Sequence, residues 1–538
     1  MRHVRLLDCT LRDGAYVIDK KFGDNTIKGI ISGLIDARTD LIEIGFLQDE
    51  GFGEGKTVFK NSVDAAKFIP EDKKGILFTV LADVSRYSIE NLDAYNGKSF
   101  DAVRACFFKH ERYEAIEFFK EIKKKGYKLF VQPVDVLGYS DAEMLELIEL
   151  INDIEPYCFS IVDTFGSMYK DDLHRIFYLI NNNLVQESKI GFHSHNDLQL
   201  SNALTQEFIN ISYGNRDVIV DATISGMGRG AGNTPTELIA QYMVNKLGYN
   251  YDIDAILDVI DNYVEKIHNQ AQWGYTTSMF LAGCYSAHVN NITYLQQKNS
   301  IKSKDLRYIL NKVGAKPRKR YDYDLLEKVY VEYMHSEIDD TYSFEKLKKL
   351  LQGKNILLLA PGKSSISEED NIKAYIKANN AIVISVNFNH KSIDSDYIYM
   401  SNVKRYSTYD KLNIDRASKY IFTSNVKSKP ENDDEFVVSF SKLIKCGWEY
   451  MDNSSILLLR LLNILEVSKI GIAGLDGYEY SARRNNNYSD PSLEVYIPEG
   501  SAVLINKELR EMLEDFMNTK NKDIKVEFVT NSRFKGIL

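Results

Sequence analysis

Ile190-Gly-Phe-His193-Ser-His195-Asn-Asp197 places two histidines on alternate residues at the end of an apolar run. A strand repeats every two residues, so His193 and His195 point to one face about 6.6 Å apart, within reach of a single metal ion. Such a pair needs an acidic third partner. Val4-Arg-Leu-Leu7 reads as a buried strand running into Asp8-Cys-Thr-Leu-Arg12-Asp13-Gly14, where an acid, a cation and a flexible glycine meet at a strand end. Two imidazoles and one carboxylate suit a divalent cation with positions left open for substrate.

Outward from these two segments, short β-rich runs alternate with longer amphipathic ones. Strands are expected at Arg5–Asp8, Leu41–Phe46, Gly75–Ala82, Ala102–Phe107, Tyr127–Asp135, Cys158–Asp163, Lys189–His195 and Val218–Thr223, with helices between them such as Tyr113–Lys125 and Asp141–Asn152. Ser140 and Glu143 have capping-box spacing. Eight β-then-α units over residues 1–250 predict a (β/α)8 TIM barrel, whose chemistry sits at the carboxyl ends of the strands. Asp13 and both histidines fall at such ends.

Residues 251–345 are patterned as helices, at Ile253–Ile267, Ser278–Asn291, Lys304–Val313 and Leu325–Met334, an extension suited to homodimerisation. The basic run Lys316-Pro-Arg-Lys-Arg320 is expected to be a solvated turn. From Asn355 an α/β pattern resumes, with seven strand-like runs between Asn355 and Val529 and a strongly apolar helix at Ser454–Val467. It predicts a second, open-sheet (Rossmann-like) domain over residues 350–538. Two Gly-rich turns stand out there, Ala360-Pro-Gly362-Lys-Ser-Ser365 and Gly471-Ile-Ala-Gly474-Leu-Asp476-Gly477. Each is either a phosphate cradle of backbone N–H groups or simply a tight turn, and neither has P-loop spacing. Both carry a faint resemblance to Rossmann-like domains of surface-glycan biosynthesis proteins.

At 538 residues the chain is too long for one core, and its apolar and charged fractions of 44% and 27% are ordinary for a globular protein. A net charge of −9 argues against a nucleic-acid or acidic-membrane surface. No apolar run is long enough to span a bilayer and no signal-peptide core follows Met1, so a cytoplasmic location is expected. Five cysteines without a CxxC pair suggest neither a disulfide framework nor a thiolate zinc site, and Cys9 reads as a buried structural thiol.

Thr10-Leu11-Arg12-Asp13-Gly14, Glu43-Ile-Gly45-Phe, His193-Ser-His195-Asn-Asp197 and Gly226-Met-Gly-Arg-Gly230-Ala-Gly-Asn233-Thr, taken together, resemble the metal-dependent aldolase and acyltransferase superfamily of hydroxymethylglutaryl-CoA lyase. Within it, Gly-Ala-Gly-Asn-Thr and the later Trp273-Gly274-Tyr275 and Cys284-Tyr285-Ser286 favour the 4-hydroxy-2-oxovalerate aldolase branch over about residues 1–300. The resemblance implies that Asp13, His193 and His195 bind Mn2+ or Mg2+. It implies that Arg12 holds a 2-oxo acid and stabilises its enolate, and that an aldehyde is the second substrate. Thr164 would contact substrate, Tyr275 or Tyr285 would assist proton transfer, and Glu43 and Asn233 would support the site from behind. For each of these tyrosines core packing is the alternative, and for Glu43 and Arg104 a structural salt bridge.

The chain departs from the aldolase pattern at Tyr16, which stands where those enzymes carry a histidine base two residues after the Arg-Asp-Gly glycine. A phenol with a pKa near 10 is a poor proton acceptor at neutral pH. The expectation is therefore a divalent-metal-dependent carbon–carbon lyase acting next to a 2-oxo acid, with Tyr16 in a proton-transfer or acceptor-orienting role. The alternatives are an acyl-CoA-dependent condensing synthase and a non-catalytic barrel serving the second domain as a binding module.

Overall fold

The computed structural model describes residues 3–298, 301–334, 338–411, 419–480, 487–490, 493 and 500–537. The chain divides into two compact units, residues 1–289 and 290–538. The helices expected as one extension therefore fall in both units. The segment Thr277–Tyr285 ends where Ser286 turns left-handed (φ 46°), and a separate helix starts at Val289.

In the first unit the strands are β1 (Val4–Asp8), β2 (Leu41–Leu47), β3 (Val58–Phe59), β4 (Leu77–Asp83), β5 (Ala102–Phe107), β6 (Lys128–Pro133), β7 (Cys158–Asp163), β8 (Lys189–Ser194) and β9 (Val218–Ala222). All pair in parallel. The ring β1-β9-β8-β7-β6-β5-β4-β2 closes through a β1–β2 pairing, and the two-residue β3 sits against the end of β2. This is the closed eight-stranded barrel, and its eight long strands coincide with the expected eight to within a few residues. The capping box at Ser140 is present, with Ser140 Oγ accepting from Glu143 N–H.

Strand parity decides what lies inside. Val4 and Leu6, Ile42 and Ile44, Val103 and Ala105, Ile190 and Phe192, and Val218 and Val220 face outward into the apolar layer shared with the helices. Their alternates Leu7, Leu41, Ala102, Cys158 and Ile219 fill the barrel interior. By the same alternation Glu43, Arg104, His193 and Asp221 also point inward, towards the carboxyl end of the ring.

The second unit opens with helices, among them Ser303–Val313 and Tyr323–Met334, and the basic run forms the expected turn at Pro317–Lys319. Its sheet comprises β10 (Asn355–Leu359), β11 (Ile382–Val386), β12 (Tyr397–Met400), β13 (Lys419–Thr423), β14 (Glu435–Val438), β15 (Lys469–Ala473) and β16 (Lys525–Phe528). All are parallel, in the order β14-β13-β12-β11-β10-β15-β16. The chain winds outward from β10 to β14, then returns past β10 to lay down β15 and β16. The order thus reverses between β10 and β15, where both Gly-rich turns lie. Among the described residues no helix is long and apolar enough to cross a membrane.

Candidate active site

The site grows from the carboxyl ends of β1 and β8. After β1 the chain makes a tight turn, with Asp13 N–H donating to Cys9 O (2.8 Å), and this turn carries Arg12 and Asp13 back over the barrel mouth. His193 lies on β8 and His195 just beyond it. Asp13 Oδ2 is 3.5 Å from His193 Nε2 and 3.7 Å from His195 Nε2, and the two imidazole rings stand 5.1 Å apart, nearly perpendicular.

Asp13 Oδ2 is buried and accepts no hydrogen bond, whereas Asp13 Oδ1 accepts from Arg12 Nη1 at 2.8 Å. One lone carboxylate oxygen facing two imidazole nitrogens fits a divalent cation. Burial would raise the Asp13 carboxyl, but Arg12 and the two imidazoles outweigh it and hold Asp13 well below the usual range, ionised as a ligand must be. Burial pushes His195 down to about 3, leaving it neutral with a lone pair to offer.

His193 is oriented from behind. Its Nδ1 lies 3.0 Å from Asp221 Oδ2, so Nδ1 carries the proton and Nε2 is turned to Asp13. Asp221 in turn accepts from Arg104 Nη2, Arg104 Nη1 donates to Glu43 Oε2 (3.0 Å), and Arg12 Nε donates to the same oxygen (2.7 Å). The chain Asp13–Arg12–Glu43–Arg104–Asp221–His193 is a loop of alternating charges, with Glu43 and Arg104 fully buried. Each ion is desolvated, so each is held by its neighbours. Glu43 and Arg104 are thus at once a salt bridge and the support behind the site.

A second donor group, Cys9, His193 and Asp221, also converges. Burial drives the Cys9 thiol well above its ordinary value, its Sγ donates to Ala222 O, and Asp221 is engaged by Arg104. Cys9 Sγ and Asp221 are thus already engaged within the protein, whereas Asp13, His193 and His195 turn atoms toward one another that could hold a cation.

Tyr16 is brought to the same mouth by the 3-10 turn Gly14–Ile18. Its ring packs edge-on against Phe46 (5.3 Å) and lies under the Arg229 guanidinium (4.0 Å), and its hydroxyl bonds to no other described residue. Burial raises its pKa above the ordinary phenol value despite Arg229, so Tyr16 is an O–H donor there rather than a phenolate.

The remaining expected residues are placed less directly. Thr164 Oγ1 accepts from Asp135 N–H (2.7 Å), tying together the loops after β6 and β7. Asn233 pairs with His195 in an isolated bridge and donates to Met227 O (3.1 Å), with its buried Oδ1 unpaired. The glycine run around it folds back so tightly that a Cβ on Gly232 (φ 82°) would lie 2.0 Å from Gly226 O. It forms a lip beside His195 and no dinucleotide loop. Trp273 Nε1 donates to Ser225 O (2.9 Å) and Gly274 N–H to Gly230 O (3.2 Å), which seats Tyr275 on the rim, 60% exposed and outside the Asp13–histidine cluster. Tyr285 ends its helix, half-buried.

Three acids were given no role in the sequence reading. Asp221 had a legible signal, a lone acid of inward parity in Val218-Ile-Val-Asp-Ala. Asp163 and Asp197 are buried carboxyls raised to about 7 and about 8, each chiefly by burial. Arg229, inside the glycine run, was likewise missed as a partner of Tyr16.

Residues 3–262 match the HMGL-like family model. The chain is 28% identical over 273 residues to a 4-hydroxy-2-oxovalerate aldolase of Thermomicrobium roseum, covering 49% of this chain and 73% of that protein. It is 24% identical over 270 residues to an oxaloacetate decarboxylase of Mycobacterium tuberculosis, covering 47% and 74%. Among solved structures, the HMG-CoA lyase of Brucella melitensis aligns with a TM-score of 0.41 at 14% identity, over 50% of this chain and 100% of that one. The matched residues end within the first unit, and the second unit lies outside the match.

Proposed function

We propose that the HMGL-like domain makes or breaks a carbon–carbon bond next to a 2-oxo acid, by way of its enolate. The observation that carries this reading is the unpaired Asp13 Oδ2 between two imidazole nitrogens, with the Arg12 guanidinium beside it. Asp13, His193 and His195 would hold Mn2+ or Mg2+, which when bound supplies Lewis acidity towards the oxygens of the 2-oxo acid. Arg12, anchored by Glu43 and Asp13, offers guanidinium N–H to the substrate carboxylate and to the charge that develops on the enolate oxygen. Arg104 and Asp221 keep His193 in one tautomer. Thr164 would contact the substrate and Tyr275 would meet the second substrate at the rim.

Tyr16 is the group placed to move the proton at the second substrate's oxygen, one transfer that runs forwards in bond formation and backwards in cleavage. As a neutral phenol it donates a proton to an aldehyde oxygen in carbon–carbon bond formation, and cleavage of a hydroxy acid needs its phenolate, which burial disfavours, to take that proton back. Pyruvate in heavy water tests the enolate step directly. Metal-dependent deuteration of its methyl group, lost in His195→Ala, is the expected NMR result, and absence of exchange with both ions would overturn the reading.

A second reading is favoured by the same tyrosine and by the relative named oxaloacetate decarboxylase. Loss of CO2 from a 2-oxo diacid also gives a pyruvate enolate, and it needs no base to take a proton from a hydroxyl group. Incubation with oxaloacetate and with a 4-hydroxy-2-oxo acid separates the two: CO2 release from the first alone supports decarboxylation, and aldehyde release from the second supports the aldolase.

A further inference from the structure

The reversal of strand order between β10 and β15 opens a crevice at the carboxyl ends of these strands, the place where parallel open sheets bind ligands. A cavity of about 130 Å³ lies there, lined by residues from the loops after β10, β11, β12 and β15 and from the start of the helix Ser454–Ile464. The two Gly-rich turns form one wall. Gly362 N–H donates to Gly474 O (2.9 Å), and a Cβ on Gly474 (φ 73°) would lie 1.9 Å from Ala360 O.

The turn after β10 is not a phosphate cradle, because the protein fills it with a carboxylate of its own. Ser364 N–H donates to Asp476 Oδ2 (2.8 Å), and Ser364 Oγ donates to Asp476 Oδ1. An anion entering that turn would meet Asp476 at contact distance.

The rest of the cavity has the opposite character. Four of its lining residues are asparagines, and each spends its side-chain oxygen on backbone N–H groups. Asn387 accepts from Ser401 and Asn402, and Asn402 from Lys404 and Arg405. Asn453 accepts from Ser455 and Ile456, and Asn487 from Glu479. This usage fixes the amide orientation, so each NH2 group is on the other side, and none of the four donates to another described residue. Two of these residues cap helices whose positive ends face the same space, at Val403–Lys411 and Ser454–Ile464. Arg405 adds a guanidinium, stacked 5.2 Å from the Tyr488 ring and anchored on Leu493 O.

We propose that this crevice is a second ligand site, separate from the barrel chemistry, which binds a small oxyanion rich in hydrogen-bond acceptors through the Asn402, Asn453 and Arg405 donors. A cavity of about 130 Å³ holds a ligand near the size of a six-membered ring, so a carboxylate or phosphate monoester of a short polyol fits and a dinucleotide does not. Glycerate, glycerol 3-phosphate and glycerol, titrated calorimetrically into the full chain, share one carbon skeleton and differ in the anion. At least one of the two anions is expected to bind and glycerol not to, and which anion wins identifies the headgroup. Asn453→Asp keeps the cap oxygen and replaces the donor by a negative charge. It and Arg405→Gln should each weaken binding by at least about 10-fold, or about 1.4 kcal/mol, with an unchanged melting temperature. Should Asn453→Asp fail to fold, Asn402→Asp makes the same exchange. Heat from neither anion, equal binding of glycerol, or anion binding that persists undiminished in these variants would overturn the proposal.

Discussion

The barrel mouth and the crevice of the second sheet are both built at the carboxyl ends of parallel strands, yet they are wired differently. In the barrel, buried full charges hold one another from Asp13 through Arg12, Glu43 and Arg104 to Asp221, and the His193 imidazole closes the loop. In the second sheet neutral amides are aimed by backbone N–H groups, and Asp476, the carboxylate among the described lining residues, is turned into the first turn. A closed ring of eight strands points many side chains at one axis, where ions can be fully desolvated and still paired. An open sheet offers loops and helix ends, whose polar backbone does the aiming.

The contrast breaks most readily at Arg104. Arg104→Met leaves Glu43 and Asp221 buried without their shared cation and should cost about 3–5 kcal/mol in urea unfolding. The corresponding cut in the second unit, Asp476→Asn, keeps one acceptor for Ser364 and should cost about 1 kcal/mol. Equal losses would mean that the two sites are built on the same terms.

Next in size is a pH effect at Asp8, a barrel carboxyl without a cation. It accepts from Thr236 Oγ1 (2.6 Å) and Thr10 N–H (2.9 Å), and burial pushes it up to about 6. A folded value above the unfolded 3.8 means that Asp8 favours the fold when protonated. That contribution is complete below pH 4 and is lost as the pH rises through about 6, in all about 3 kcal/mol. Against Asp8→Asn, the wild type should lose stability over this window. A parallel pair of pH profiles would refute the assignment.

How much of this was legible in the sequence follows from the same contrast. Strand period and the alternation with helices exposed all eight barrel strands and the seven of the second sheet, because parallel strands buried on both faces are nearly continuous apolar runs. Asp13, His193 and His195 were legible because they stand at strand ends beside motif residues. Asp221 was hidden by reading Val218–Thr223 as merely apolar, although a lone acid at inward parity needs a partner. The four asparagines carry no local signal at all: Asn387 to Asn487 converge only through the strand order, which periodicity does not encode.

A smaller effect is expected at Tyr16, where the barrel mouth depends on a neutral group as the second crevice does throughout. Tyr16→Phe keeps the packing on Phe46 and the Arg229 contact and removes only the hydroxyl, so folding should be unchanged. Carbon–carbon bond formation should slow by roughly 10²-fold, while deuterium exchange into pyruvate should persist. Exchange that falls in step with bond formation would place Tyr16 in the enolisation step instead.

The smallest expected effect is the most telling, because it sets a carboxylate and an amide against each other in the two sites. Asp13→Asn in the barrel removes the charge that pairs with Arg12 and the ligand oxygen between the imidazoles, so metal-dependent exchange should vanish. Asn453→Asp makes the reverse exchange, yet Asp caps a helix as well as Asn does, and its charge is favoured by the helix end. Its stability should therefore stay within about 0.5 kcal/mol of wild type while its anion binding weakens by at least about 10-fold. A clear destabilisation would mean that the Asn453 NH2 group carries a structural bond, and that the second crevice aims its donors inward at the protein rather than outward at a ligand.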